Sequence, residues 1–600
     1  MDTESCSATV PENLLPDLTL HLRMPRSRFT GLLFTAALLI PAIPVLAQEM
    51  DHSMHMHHGH DMSMGDSLVW RMAPMDGMTM PMMPGMMDDI PEVGAFLPGF
   101  GMDVSMFPEA KPSEIIDMAD GDTLHMDASL VRRTINGREY VMMAYGGMYP
   151  GPLIRADRGS KVIVEFTNNI DMPTTVHWHG LRLDNAFDGI PGLTQDPVET
   201  GESFTYELKF PDTGMYWYHP HMREDVQQDL GLYGNMLVDP SEDDYYAPVN
   251  REVPLILDDI LVDANGLFPY GEEAPTHALM GRFGNVMLVN GISDYNLDIQ
   301  AGEVVRFYLT NVANTRTFNV TFDGARIKVI ADDVSKLEHE QFVSSVIIAP
   351  AERYIVDVYF DEARTYNLTN SIQAIDHFRG IFVPETHHLG TITASGQASQ
   401  SHADAFAEAR TNEDTIADID QFRRYFDKAP DHNLRLTIET KDLHPLTMRM
   451  MEVDTLYFPP IEWNEGMPMM NWLSTGEEAR WTLLDEDTGQ KSMEINWQWE
   501  VGDVVKIRIF NDPSSFHPMN HPFHVHGQRF VITHIDGVEN RNMGWKDTTI
   551  IPVGSTIDIL VDVTNPGKWM AHCHIAEHLH AGMMLGFEVR QAGSGPDAGN

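Results

Sequence analysis

The chain has 600 residues and a formal net charge of −48, with 88 acidic against 40 basic side chains. That length suggests three or four domains, and that charge excludes a nucleic-acid partner, because an acidic surface repels phosphates. Only Cys6 and Cys573 are present, so no disulfide framework is expected.

Residues 1–47 read as an export signal. Arg26 and Arg28 precede an apolar run from Gly31 to Ile40, and Val45-Leu46-Ala47 offers a small-residue cleavage site. The run is too short to span a membrane. Met24 offers an alternative start, with residues 1–23 an over-extension of the reading frame. No twin-arginine pair and no cleavage-site cysteine are present. Export unfolded, without a lipid anchor, is therefore expected, with any metal loaded outside the cytoplasm. No other run reaches the roughly eighteen apolar residues of a spanning helix. The mature protein is expected to be soluble, monomeric and secreted, in a bacterial periplasm.

Residues 48–111 are rich in Met, His, Pro and Gly, opening with Asp51-His52-Ser53-Met54-His55-Met56-His57-His58-Gly59-His60. Neither helical nor strand period is visible, and the composition resists packing, so a disordered arm is expected. Thioethers suit Cu(I) and imidazoles Cu(II), which makes extra copper on the arm one reading and a plain linker the other.

Beyond Lys111 the pattern turns to short alternating strands, such as Val162–Phe166, Val304–Leu309, Tyr354–Tyr359 and Val504–Ile509, bounded by turn residues. This predicts an all-β fold of antiparallel sandwiches. Ala156–Asn169 is echoed by Ile299–Asn311 and again by Trp499–Asn511, which argues for three related modules. The expected division is 112–245, 246–395 and 431–592, with residues 396–430 a linker holding a short helix.

The chemistry lies in four His-x-His pairs: His177-Trp178-His179-Gly180, His219-Pro220-His221, His524-Val525-His526 and His572-Cys573-His574. Alternate side chains on a strand share a face and stand about 6–7 Å apart along it, which suits ligands to neighbouring metals. In the last motif Cys573 faces away from both histidines, so one strand can serve two centres. Eight imidazoles suit a three-copper cluster able to bind O2. His521, Cys573 and His578, with Met583 as a weak axial donor, make the ligand set of a blue copper site. The middle module holds none of these motifs, so the cluster must form between the first and third.

Together with Tyr216-Trp217-Tyr218, Gly231-Leu232-Tyr233-Gly234 and Pro522-Phe523, these motifs resemble the multicopper oxidases over roughly residues 120–590. The resemblance implies three consecutive cupredoxin-like Greek-key β-sandwich domains. It also implies four copper ions (one type 1, one type 2, two type 3) and reduction of O2 to water by a small reducing substrate. It places His177 and His524 on the type 2 ion. His179, His219 and His574 would hold one type 3 ion, and His221, His526 and His572 the other.

By the same resemblance His578 lies nearest the surface and passes electrons to Cys573, and Asp188 assists proton delivery. Relatives place a second acid where Ala576 or Leu579 stands here, and Glu577 falls between those positions. Asp547 is a candidate partner for a blue-site histidine or a substrate carboxylate. The Asp-His-Ser-Met run resembles those of bacterial copper-resistance oxidases. With a second methionine group, Met448, Met450, Met451, Met467, Met469 and Met470, it favours Cu(I) as substrate. Phenols or aromatic amines are the alternative, and a non-enzymatic copper-sequestering role is the third reading.

Overall fold

The computed structural model describes residues 71–72, 96–99, 101–376, 381–440, 461–463 and 478–593. The export signal, the opening of the Met/His arm and the second methionine group lie outside them. No described helix is long and apolar enough to cross a membrane.

Three two-sheet units follow one another. The first has a four-stranded sheet ordered Arg138–Tyr145, Thr123–Ile135, Lys161–Asn168, Ser203–Lys209. Its facing five-stranded sheet runs Ile115–Met118, Leu153–Asp157, Gly234–Asp239, Gly214–His219, His177–His179. The third unit repeats the plan. Its five-stranded sheet, Asn496–Glu500, Met584–Arg590, Gly567–Cys573, His521–Val525, Thr548–Ile551, carries the remaining copper motifs.

Alternation explains the cores. In Lys161–Asn168 the residues Val162, Val164 and Phe166 point inward, while Lys161 and Glu165 are exposed. The sheets are mixed, which corrects the purely antiparallel expectation. Each repeated strand lies parallel to the unit's early strand and antiparallel to a later one. Lys161–Asn168 sits between Thr123–Ile135 and Ser203–Lys209. Glu303–Asn311 sits between Arg251–Ile260 and Arg353–Phe360, and Val504–Asn511 between His432–Thr440 and Thr556–Asp562. Parallel neighbours need a crossover, and the chain makes it through the facing sheet.

The end of the expected arm is ordered, a second correction. Phe96–Leu97 pairs with Arg71–Met72, and Phe107 is buried in the core of the first unit with Leu97 and Met102 packed against it. These side chains bury apolar area that helps to fix the segment against the first unit. Within 396–430 there are two helices, Ala403–Ala407 and Glu413–Arg423.

Candidate metal centres

Sheet register brings the motifs together. His177–His179 pairs with Gly214–His219, setting His219 opposite His177. His524 stands opposite both His572 and Thr548. The two sheets meet so that eight histidines, four from each, converge in one buried region.

The rings of His179, His219 and His574 lie 5.0–5.8 Å apart, centre to centre. His221, His526 and His572 form another group, and His177 and His524 stand beside His526. Burial, then neighbouring imidazoles, pushes His526 to about 3 and His179, His219, His524 and His572 well below their ordinary value. Neutral rings offer lone pairs, as metal ligation requires.

Outward-facing acceptors dictate which nitrogens point inward. Nδ1 of His177 meets the Asp188 carbonyl at 2.7 Å, that of His219 the Pro220 carbonyl at 2.8 Å, and that of His524 the Asp547 carbonyl at 2.9 Å. His526 and His221 set Nδ1 against the carboxylates of Asp188 (3.0 Å) and Glu224 (2.9 Å), and His572 against the Cys573 carbonyl (2.9 Å). Their Nε2 atoms therefore face inward as bare acceptors. Those of His526 and His572 are 2.9 Å apart, and that of His221 is 3.4 Å from His572.

His179 is reversed: its Nε2 meets Asp547 Oδ1 and Thr548 Oγ1, each at 3.0 Å, leaving Nδ1 inward. Nε2 of His177, His219, His524 and His574 and Nδ1 of His179 are buried without a hydrogen-bond partner. Opposed lone pairs and orphaned ring nitrogens are what a set of cations would satisfy. The donor set fits copper.

In the second centre, Cys573 Sγ lies 3.5 Å from His521 Nδ1 and 3.8 Å from His578 Nδ1, all buried. Met583 is buried in the same core cluster, and its carbonyl accepts from the Cys573 amide at 3.0 Å. Burial raises the Cys573 thiol and lowers His521 to about 3. Copper would supply the charge that lets the thiol ionise.

Two expectations need correcting. Asp547 does not reach the blue-site histidines; it stands behind His179 and His524, because the strand Thr548–Ile551 flanks His521–Val525 on the cluster side. His578 is no nearer to solvent than its neighbours. Its Nε2–H donates to the Leu279 carbonyl at 3.1 Å, and the Trp481 ring lies 4.2 Å away. The helix Ala274–Met280 of the middle unit brings Leu279 over it.

Asp188 touches both His177 and His526, at 3.3 and 3.0 Å. Burial would raise its pKa, but those imidazoles outweigh burial and hold the carboxyl below its ordinary range. Glu577 is buried, accepts from Thr315 Oγ1 at 3.2 Å, and is pushed by burial to about 8. The acid the sequence reading missed is Glu224, three residues after His221. It opens the one-turn helix Glu224–Gln227, and its other oxygen meets His580 at 3.2 Å. Thr548 and Arg353 were also missed. Only the i, i+3 spacing of His221 and Glu224 was available as a signal.

A buried three-histidine, two-histidine and three-histidine assembly joined by Cys573 to a mononuclear site defines a copper oxidoreductase that reduces O2. Sequence profiles described as multicopper oxidase match residues 128–243, 217–384 and 465–593. The chain belongs to the multicopper oxidases, binds one type 1, one type 2 and two type 3 copper ions, and oxidises a reducing substrate with O2.

It is 28% identical over 473 residues to the multicopper oxidase MmcO of Mycobacterium tuberculosis, covering 74% of this chain and 82% of that one. It is 25% identical over 530 residues to a dihydrogeodin oxidase of Aspergillus terreus, covering 78% and 83%. Its fold matches a multicopper oxidase of Campylobacter jejuni, titled a metallo-oxidase. There the TM-score is 0.61 at 22% identity, covering 81% of this chain and 97% of that one.

Proposed function

We propose that this oxidase is exported to the periplasm and oxidises Cu(I) there, as part of copper tolerance. The observation that carries this is the Met/His run Asp51–His60, a donor mixture suited to both copper oxidation states. The surroundings of the blue-site set support it. A cleft of about 800 Å³ beside Trp481 is bordered by Glu439, Lys491, Arg480, Glu494 and Glu577. The carboxylates of Glu439 and Glu494 there would attract a cation such as Cu(I).

Four bound copper ions together store the four electrons that O2 reduction needs. The chain's own residues hold them in place: Asp188 and Glu224 orient His177, His526 and His221 from behind, and the strand Gly567–Cys573 links the two centres covalently.

The test is O2 uptake with Cu(I) and with a substituted phenol, before and after deletion of residues 50–87. The expected result is a fall of several-fold in Cu(I) turnover with phenol turnover unchanged. Undiminished Cu(I) turnover would reject the role of the arm, and faster phenol than Cu(I) turnover in the intact chain would favour the laccase-type reading. Cys573→Ser should abolish both the blue colour and turnover.

A further inference from the structure

The middle domain lacks copper motifs, yet one of its side chains reaches the back of the cluster. Arg353 opens the strand Arg353–Phe360 and is fully buried. Its guanidinium grips Asp547 with two parallel bonds, Nη1–Oδ1 at 2.7 Å and Nη2–Oδ2 at 2.5 Å. Nε donates to the Met215 carbonyl of the first domain at 2.9 Å, and Nη1 also to the Ala351 carbonyl at 3.0 Å. One side chain thus ties together all three domains. Asp333, also of the middle domain, accepts from the backbone amides of Asp547 (3.3 Å), Thr548 (3.2 Å) and Arg353 (2.9 Å). Asp547 and Thr548 are in turn the groups that touch His179 and His524.

We infer that Arg353 is a positioning residue for the copper cluster: by fixing Asp547 it sets the reversed ring of His179 and the orientation of His524. The inference rests on the copper-oxidase class, not on Cu(I) as substrate. Three features carry it. His179 alone among the cluster histidines described above turns Nε2 outward, and one of the two acceptors that turn it is the carboxylate Arg353 holds. A bidentate fork fixes a carboxylate in both position and plane, which a lysine, as a point charge, does not. The guanidinium also reaches backbone carbonyls on two domains, so its own position is over-determined. A plain interdomain ion pair would need none of that planarity.

The two accounts differ in what they predict. A staple governs stability alone; a positioning residue governs the metal. Outer partners of metal-binding histidines typically weaken metal binding about 10–100-fold when removed. Arg353→Lys and Arg353→Met should be prepared as full chains, loaded with copper, and compared by copper content after chelator competition and by electron paramagnetic resonance.

Both variants are expected to keep the blue absorbance per chain, whose ligands lie on other residues. Both should lose cluster copper at about tenfold lower chelator concentration or less, and show a changed type 2 signal. Arg353→Lys should recover thermal stability better than Arg353→Met without recovering the signal. Wild-type copper retention and a wild-type signal in Arg353→Lys would overturn the inference, whatever the change in Tm. That variant keeps the buried charge paired, so it decides the matter even if Arg353→Met does not fold. A parent chain without blue absorbance would instead indict the copper-oxidase class.

Discussion

At Gly180 an added Cβ would sit 2.4 Å from Asp547 Oδ2 and 2.8 Å from Arg353 Nη2, on a backbone with φ of +86°. The glycine closing His177-Trp178-His179-Gly180 is thus needed for two reasons, a left-handed backbone and the space that Asp547 and Arg353 occupy. The first is local; the second involves residues more distant in the chain and could not be read from the motif. Glu224 makes the same point. At the positions where relatives place an acid near His578 stand Ala576 and Leu579, while a further carboxylate that touches a cluster histidine stands three residues after His221.

Asp171, in the loop leading to His177, gives a pH-dependent prediction. Both its carboxylate oxygens are buried without a partner, and burial pushes its pKa from 3.8 up to about 7. The folded chain therefore binds this proton more tightly than the unfolded chain. Its contribution is fully present below pH of about 4 and is lost as pH rises through about 7. Asp171→Asn should raise Tm at pH 8 by roughly 1–3 °C, with the gain closing towards pH 4. A gain of equal size at both pH values, in Tm scans across that range, would refute this account.

Among the elements, the three repeated strands end on a common device. Asn168, Asn311 and Asn511 are all buried. Asn168 Nδ2 donates to the carbonyls of Met172 and Val198, and Asn311 Nδ2 to those of Arg316 and Ile348. Asn511 Nδ2 donates to those of Met519 (2.6 Å) and Ile551 (2.8 Å). Each pins the loop that follows its strand, and in the third unit that loop delivers His521. The asparagine was visible in the repeat as sequence, but its partners lie in the loop that follows and in a segment further along the chain.

Asn511→Ala leaves two buried carbonyls short of a donor and should cost about 2–4 kcal/mol, with a shifted blue band. Asn311→Ala should cost a similar amount and leave the band unchanged. Denaturant midpoints and visible spectra of both variants test this. A band that shifts equally in both would show that the effect is not local to the loop before His521.

On the scale of the whole molecule, the cluster is half first domain and half third, with the middle domain clamping it through Arg353 and covering His578 through Leu279. Copper bound at the assembled site, tighter than on the unfolded chain, stabilises by mass action. Stripping it with a chelator under reducing conditions should lower Tm by several degrees. The calorimetric transition should broaden or divide as the first and third domains lose their shared ligand, and copper should restore it. An apo-protein melting with unchanged Tm and shape would contradict a cluster that joins domains.

The sequence by itself determined the donors and their pairing. Strand alternation is a two-residue property, so His-x-His and His-Cys-His declare which side chains share a face, and three repeats declare three sandwiches. Only the tertiary structure decided which ring nitrogen faces inward, that Asp547 serves the cluster and not the blue site, that Glu224 backs His221, and that His578 is roofed by the middle domain. Those outcomes depend on groups brought together from distant strands. A spacing rule reaches a few residues along a strand, whereas an imidazole's orientation is set by whichever acceptor the fold places behind it.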